Sequence, residues 1–177
     1  MQHNFPRAYA FTRAQEGLWE DNPADPAGCT MKGVPLGKYR DWCAKQGLPE
    51  PTPDDLRNIS DATLEAIYGE YWADVNGDGL PDGVDLSVFD AGFDTGPGTA
   101  AEQLQRILRV VADGVVGPIT CAAAGRTSPF ALLANLADAQ ETYYRALPRF
   151  PTFGAGWIAR AQRRRSAAMA LASGRGG

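Results

Sequence analysis

Glu16, Asp25 and Thr30 are the residues whose types and spacing best suit chemistry in this chain. Two carboxyl groups and a hydroxyl, separated by eight and then four residues, offer a proton donor, a group to activate water and a group to hold it. Other hydrolytic chemistries lack their parts. The single histidine is His3, near the start of the chain. A zinc amidase needs two or more histidines, and Ser-His or Cys-His hydrolases need one held in a site. If the chain is an enzyme, carboxylates carry the reaction.

The elements that must position these groups are legible from local pattern. Phe5, Ala8, Tyr9, Phe11 and Thr12 form a helical stripe, with Asn4 as a cap and Pro6 in the first turn. A helix from Phe5 to Gln15 delivers Glu16 at its C-terminal end, where the macrodipole disfavours an anion and so favours the protonated acid. The loop EGLWEDNPADPAGCTMKG follows, held extended or turned by the steps Asn22-Pro23 and Asp25-Pro26. A helix-terminal Glu before a stiff, polar loop is half buried yet faces a cleft.

This loop resembles the E-G-G-Y-x-x-D-P-x-D-P-G-G-x-T-x-x-G-I-T signature of the glycoside hydrolase 108 muramidases, and its Glu/Asp/Thr spacing is similar to that of phage-type lysozymes. Glu16, Gly17, Pro23, Asp25, Pro26, Gly28, Thr30 and Gly33 match, while Leu18, Asn22, Ala27 and Pro35 depart. Leu18 is the departure of most consequence, because Gly there supplies a backbone angle that Leu resists. The resemblance implies an all-α, lysozyme-like fold of two packed helical subdomains, with at most a small β-hairpin near the loop. It implies an N-acetylmuramidase that cuts the β-1,4 bond between N-acetylmuramic acid and N-acetylglucosamine, with no cofactor. Glu16 is then the general acid, Asp25 orients or deprotonates water and Thr30 holds that water. Trp19, Asp94 and Thr95 are expected to bind substrate. A phage or prophage endolysin of this kind stays in the host cytoplasm until a holin gives it access to peptidoglycan. No nucleic-acid partner is expected.

The rest of the chain reads as helices with clear stops. Lys38 to Gln46 ends at Gly47, Thr52-Pro53-Asp54-Asp55 opens a helix, and Ser60 opens another towards Trp72. DVNGDGLPDGVD, from Asp74 to Asp85, has a calcium-loop pattern in Asp74, Asn76, Asp78, Asp82 and Asp85. Pro81 at the eighth position and the lack of a second loop argue for a turn that carries Asp85 to a helix cap. Helices over 85–94, 99–111, 118 onward and 129–147 follow. ADGVVGPIT resembles the D-G-x-x-G-P-x-T of peptidoglycan-binding modules, and RFPTFGAGWIARAQ resembles the ending of the same muramidase group, with Phe150, Phe153 and Trp157 as staples for a last helix. The expected division is a catalytic region over 1–92, a peptidoglycan-binding-like region over 93–172, and a tail over 173–177.

Composition fits a soluble globular protein: 44% hydrophobic and 21% charged residues. No apolar run reaches the roughly 18 residues that span a bilayer, and the first fifteen residues lack the pattern of a signal peptide. Cys29, Cys43 and Cys121 are expected to be free thiols. Seven arginines follow the last acidic residue, Glu141, so with a net charge of −4 the chain ahead of Arg145 carries −11. The basic end suits an anionic polymer or a solvated helix face equally well. Two other function classes stay open: a non-catalytic peptidoglycan-binding or virion tail component, and a calcium-binding helical interaction module.

Overall fold

Proline and glycine stops alternating with apolar stripes produce a helical chain with one small sheet. The structure, a computed structural model, describes residues 4–21 and 28–174. In order come α1 (Phe5–Gln15), β1 (Trp19–Glu20), β2 (Thr30–Met31), β3 (Val34–Pro35), α2 (Leu36–Lys45), α3 (Pro53–Arg57) and α4 (Asp61–Asp74). A 3-10 turn at Gly77–Gly79 leads to α5 (Val84–Thr95), α6 (Pro97–Leu108), α7 (Pro118–Gly125), α8 (Pro129–Arg145) and α9 (Phe150–Ala172). The chain is α-rich and lysozyme-like, as expected, but the hairpin gains a third strand. By spatial packing it falls into two compact units, Thr12–Glu70 and Met1–Phe11 with Tyr71–Gly177. The division expected near residue 92 follows motif content and cuts the chain elsewhere.

The larger unit is built around α5, whose residues Val84 to Gly92 are all buried. Helices α6, α8 and α9 pack on it, and Phe5 brings its ring to those of Trp72 and Phe89 at 5.6 and 6.2 Å between centroids. Gly83 precedes α5 with φ +82°, and a methyl group there would lie 2.2 Å from the Ala168 carbonyl oxygen of α9. The last helix sits that close because Gly83 has no side chain. Gly83, not Asp85, occupies the N-cap of α5. Asp85 instead accepts hydrogen bonds from Asn4 Nδ2 at 2.7 Å and the Leu86 N–H at 2.6 Å. Burial pushes its carboxyl up to about 6.

Two more acids of the calcium-like loop are engaged by side-chain donors. Asp78 accepts from Trp72 Nε1 at 2.9 Å and Asp82 from Asn4 Nδ2 at 2.8 Å. Asn76, left-handed at φ 47°, donates to the Val116 carbonyl and towards Cys121 Sγ. Among the described residues no three His, Cys, Asp or Glu side chains gather in a way that would hold a metal ion. The ADGVVGPIT loop is fixed by the buried Gln105, which donates to Asp113 and the Val115 carbonyl and accepts from the Gly114 N–H.

The basic end divides in two. Arg160 and Arg164 turn inward onto the buried Asp90 of α5, with closest contacts of 2.9 and 2.5 Å, while Arg163 and Arg165 are exposed. Burial raises the Asp90 carboxyl, but the two guanidiniums overcome it and hold the group down at about 2. This network, with Trp157 stacked on Tyr144 at 5.8 Å, fastens α9. Phe153, expected to staple it, is 48% exposed and does not.

In the smaller unit Thr52 opens α3 with a full capping box to Asp55. Helices α2 and α3 pack together and against β3 and β2 respectively. The three cysteines are free thiols, Cys29 and Cys43 buried and Cys121 half-buried.

Candidate active site

The smaller unit contains Glu16, Trp19 and Thr30, but the strand register sets Trp19 on the side of the sheet opposite Thr30. Glu16 follows directly on the last residue of α1 and is half-buried. Its side chain lies over Gly33: a methyl group on that glycine would be 2.7 Å from both Glu16 Cγ and Oε2. Gly33 and Lys32 form the two-residue turn joining β2 to β3, with φ 77° and 53°. Positive φ at both positions is the pattern of a type I′ hairpin turn, whose twist suits the flanking strands.

Lys32 is not a glycine, and its left-handed backbone is held by three ties. Its N–H donates to the Leu18 carbonyl at 2.9 Å, its carbonyl accepts from the Tyr68 hydroxyl at 2.7 Å, and its ammonium pairs with Asp61 at 2.8 Å. Leu18 itself takes no left-handed angle, since the positive-φ residues other than glycine are Lys32, Asn76 and Arg109. The departure from the glycine of the resembled signature at that position therefore brings no left-handed strain. Leu18 simply leaves its side chain 69% exposed.

Thr30 sits in the central strand, paired with Glu20 on one side and Pro35 on the other. Facing residues of an antiparallel pair share a side of the sheet, so Glu20 is a carboxylate beside Thr30 that the sequence reading missed. Trp19 is half-buried, and the Arg57 guanidinium lies 4.4 Å from its ring centroid, a cation–π contact that fixes the indole. Asp25 lies outside the described residues.

Asp94 and Thr95 belong to the larger unit. There they line a pocket of about 220 Å³ with Tyr143, Tyr144, Leu147 and Trp157. Asp94 accepts a short hydrogen bond from the Tyr144 hydroxyl and lies 3.8 and 3.9 Å from Arg160 and Arg164. Burial pushes the Tyr144 phenol far above its usual range, so it stays a donor. Thr95 donates its hydroxyl to the Ala91 carbonyl at 2.8 Å. Tyr143, Tyr144 and Trp157 were missed as pocket residues because their helical spacing also fits a core.

Comparison with known proteins decides the family. The model described as glycosyl hydrolase 108 matches residues 9–96. The solved structure of Brucella abortus SagA is similar over 96% of this chain and 95% of its own, at 34% identity and a TM-score of 0.85. The chain belongs to glycosyl hydrolase family 108. A second model, described as "predicted peptidoglycan domain", matches residues 99–162 of this family 108 protein. A search of curated proteins found no match. The two models together make this family 108 protein a glycoside hydrolase whose substrate is peptidoglycan. Among its described residues no helix is long and apolar enough to cross a membrane.

Proposed function

We propose that this family 108 hydrolase is an N-acetylmuramidase that cuts the β-1,4 bond between N-acetylmuramic acid and N-acetylglucosamine, with Glu16 as general acid. The observation that supports it is the seat of Glu16: half-buried beyond the last residue of α1 and laid over the Lys32–Gly33 turn. Hydrolysis needs a proton for the departing sugar oxygen and water brought to the anomeric carbon. Glu16 supplies the proton. Asp25 activates the water and Thr30 holds it. Trp19 offers an aromatic face to a sugar ring, and separately, on the larger unit, Asp94 and Thr95 offer polar groups to peptidoglycan. The enzyme acts as a phage or prophage endolysin, kept from the wall until a holin releases it.

Glu16→Gln keeps the shape and removes the proton. Loss of a general acid commonly costs about 10²–10⁴ in rate, so the variant should release no measurable muropeptides from purified sacculi while melting like the wild type. Mass spectrometry of wild-type products should find reducing-end N-acetylmuramic acid. Products ending in reducing N-acetylglucosamine, or wild-type turnover by a folded Glu16→Gln protein, would overturn the assignment.

A further inference from the structure

The Lys32–Gly33 turn is tied more heavily than a surface hairpin of two-residue strands requires. Its Lys32 peptide is gripped on both sides, the N–H by the Leu18 carbonyl and the carbonyl by the Tyr68 hydroxyl. Tyr68 itself is fully buried in α4. The Leu18 tie closes the backbone two residues beyond Glu16 onto the same turn. Above it, the Glu16 carboxyl occupies the space that any side chain at position 33 would need. Both glycine properties are used at once: the left-handed angle and the missing Cβ.

We propose that Gly33 and Tyr68 are positioning residues for Glu16: Gly33 leaves the room in which the carboxyl lies, and the Tyr68 hydroxyl sets the height of the turn beneath it. The inference rests on the reading of Glu16 as proton donor. Ordinary contact between such atoms is about 3.5–4.0 Å, so a methyl group at 2.7 Å drives the carboxyl back by roughly 1 Å. The obstructed atoms, Cγ, Cδ and Oε2, all belong to one half-buried, flexible side chain, which swings away at little cost to folding. Displacement of that size in a catalytic group costs about 10²-fold in rate.

A second glycine supplies the control. Gly47, which follows α2, has φ +68° and no heavy atom within 4 Å of a built Cβ. Gly33→Ala and Gly47→Ala bear the same left-handed strain, and only the first displaces Glu16. Initial rates should be measured over a range of purified sacculus concentrations, beside thermal unfolding of each variant and Glu16→Gln in the same assay.

Both alanine variants should lose similar melting temperature. Gly33→Ala should lose about 10²-fold in kcat with an apparent KM within about 2-fold, and Gly47→Ala should keep its kcat. An inactive Glu16→Gln beside a Gly33→Ala protein as active as Gly47→Ala overturns the positioning role and leaves the proton donor standing. An active Glu16→Gln sinks the reading beneath it. If Gly33→Ala does not fold, Tyr68→Phe decides. That variant keeps the ring in the core and removes the hydroxyl, so kcat should fall about 10-fold at constant apparent KM, and wild-type kcat overturns the inference.

Discussion

Two buried carboxyls of α5 pull the protein's stability in opposite directions with pH. Asp90, held at about 2 by Arg160 and Arg164, contributes stability that is complete above its ordinary value of 3.8 and lost as pH falls through 2. Asp85, raised by burial to about 6, contributes in the other sense. Its share is complete below 3.8 and lost as pH rises through 6. A shift of about two units corresponds to roughly 3 kcal/mol. Denaturant unfolding at intervals from pH 4 to pH 7 should show a downward term of that order in the wild type and its absence in Asp85→Asn. Equal slopes for the two proteins would exclude Asp85 as the source. The sequence placed Asp85 at a helix start and reported nothing of its burial. Its partner Asn4 is 81 positions away, and no local pattern registers a contact of that span.

Among the elements, α9 shows most clearly what pattern reading sees and what it does not. A helix was expected from RFPTFGAGWIARAQ onward, and the helix is there. Trp157 packs against Tyr144 as a staple should, but two other residues were misread, because aromatic residues look like staples and arginines look like surface. Phe153 is exposed while Arg164 is fully buried, paired with Asp90 and bonded to Gln140 at 2.7 Å. Removing one partner of such a pair strands the other charge in the core. Arg164→Ala should therefore cost about 3–5 kcal/mol, whereas the exposed Arg165→Ala should stay within about 0.5 kcal/mol. Urea midpoints of the two variants check this, and equal midpoints would refute the internal role of Arg164. The elements around Glu16 were more legible. The helix ending at Gln15 and a small hairpin in the loop after it were both expected and both form, since a helix end and a tight turn are local events. Tyr68 was read only as an apolar position of α4, because its hydroxyl works on a peptide 36 residues earlier.

At the scale of the whole molecule, the boundary between the two family-model matches is not a boundary of packing. The first match ends at residue 96, just past α5. Yet α5 is covered by α6, α8 and α9, and Gly83 meets the Ala168 carbonyl of α9. A fragment over 1–96 would leave the central helix of the larger unit bare, with Asp90 deprived of both arginines. Expressed alone, it should be insoluble or lack a cooperative melt. A soluble, cooperatively unfolding fragment with wall-degrading activity would show that the catalytic region is autonomous after all.

The segment Asp82–Asp85 holds both extremes of the described chain. Asn4 reaches it through Asp82 and Asp85, and at Gly83 it lies against Ala168, with the Ala172 Cβ 3.1 Å from a built methyl. Among the described residues, Asn4 and Ala172 thus lie against one segment, as in a nearly closed ring. A short glycine-serine bridge from residue 174 to residue 4 would close that ring without crossing the molecule. The chain could then be reopened in the exposed stretch 46–50, which places new ends in a surface loop and leaves every helix of the larger unit uncut. A circularly permuted or cyclised hydrolase is thus within reach of this topology.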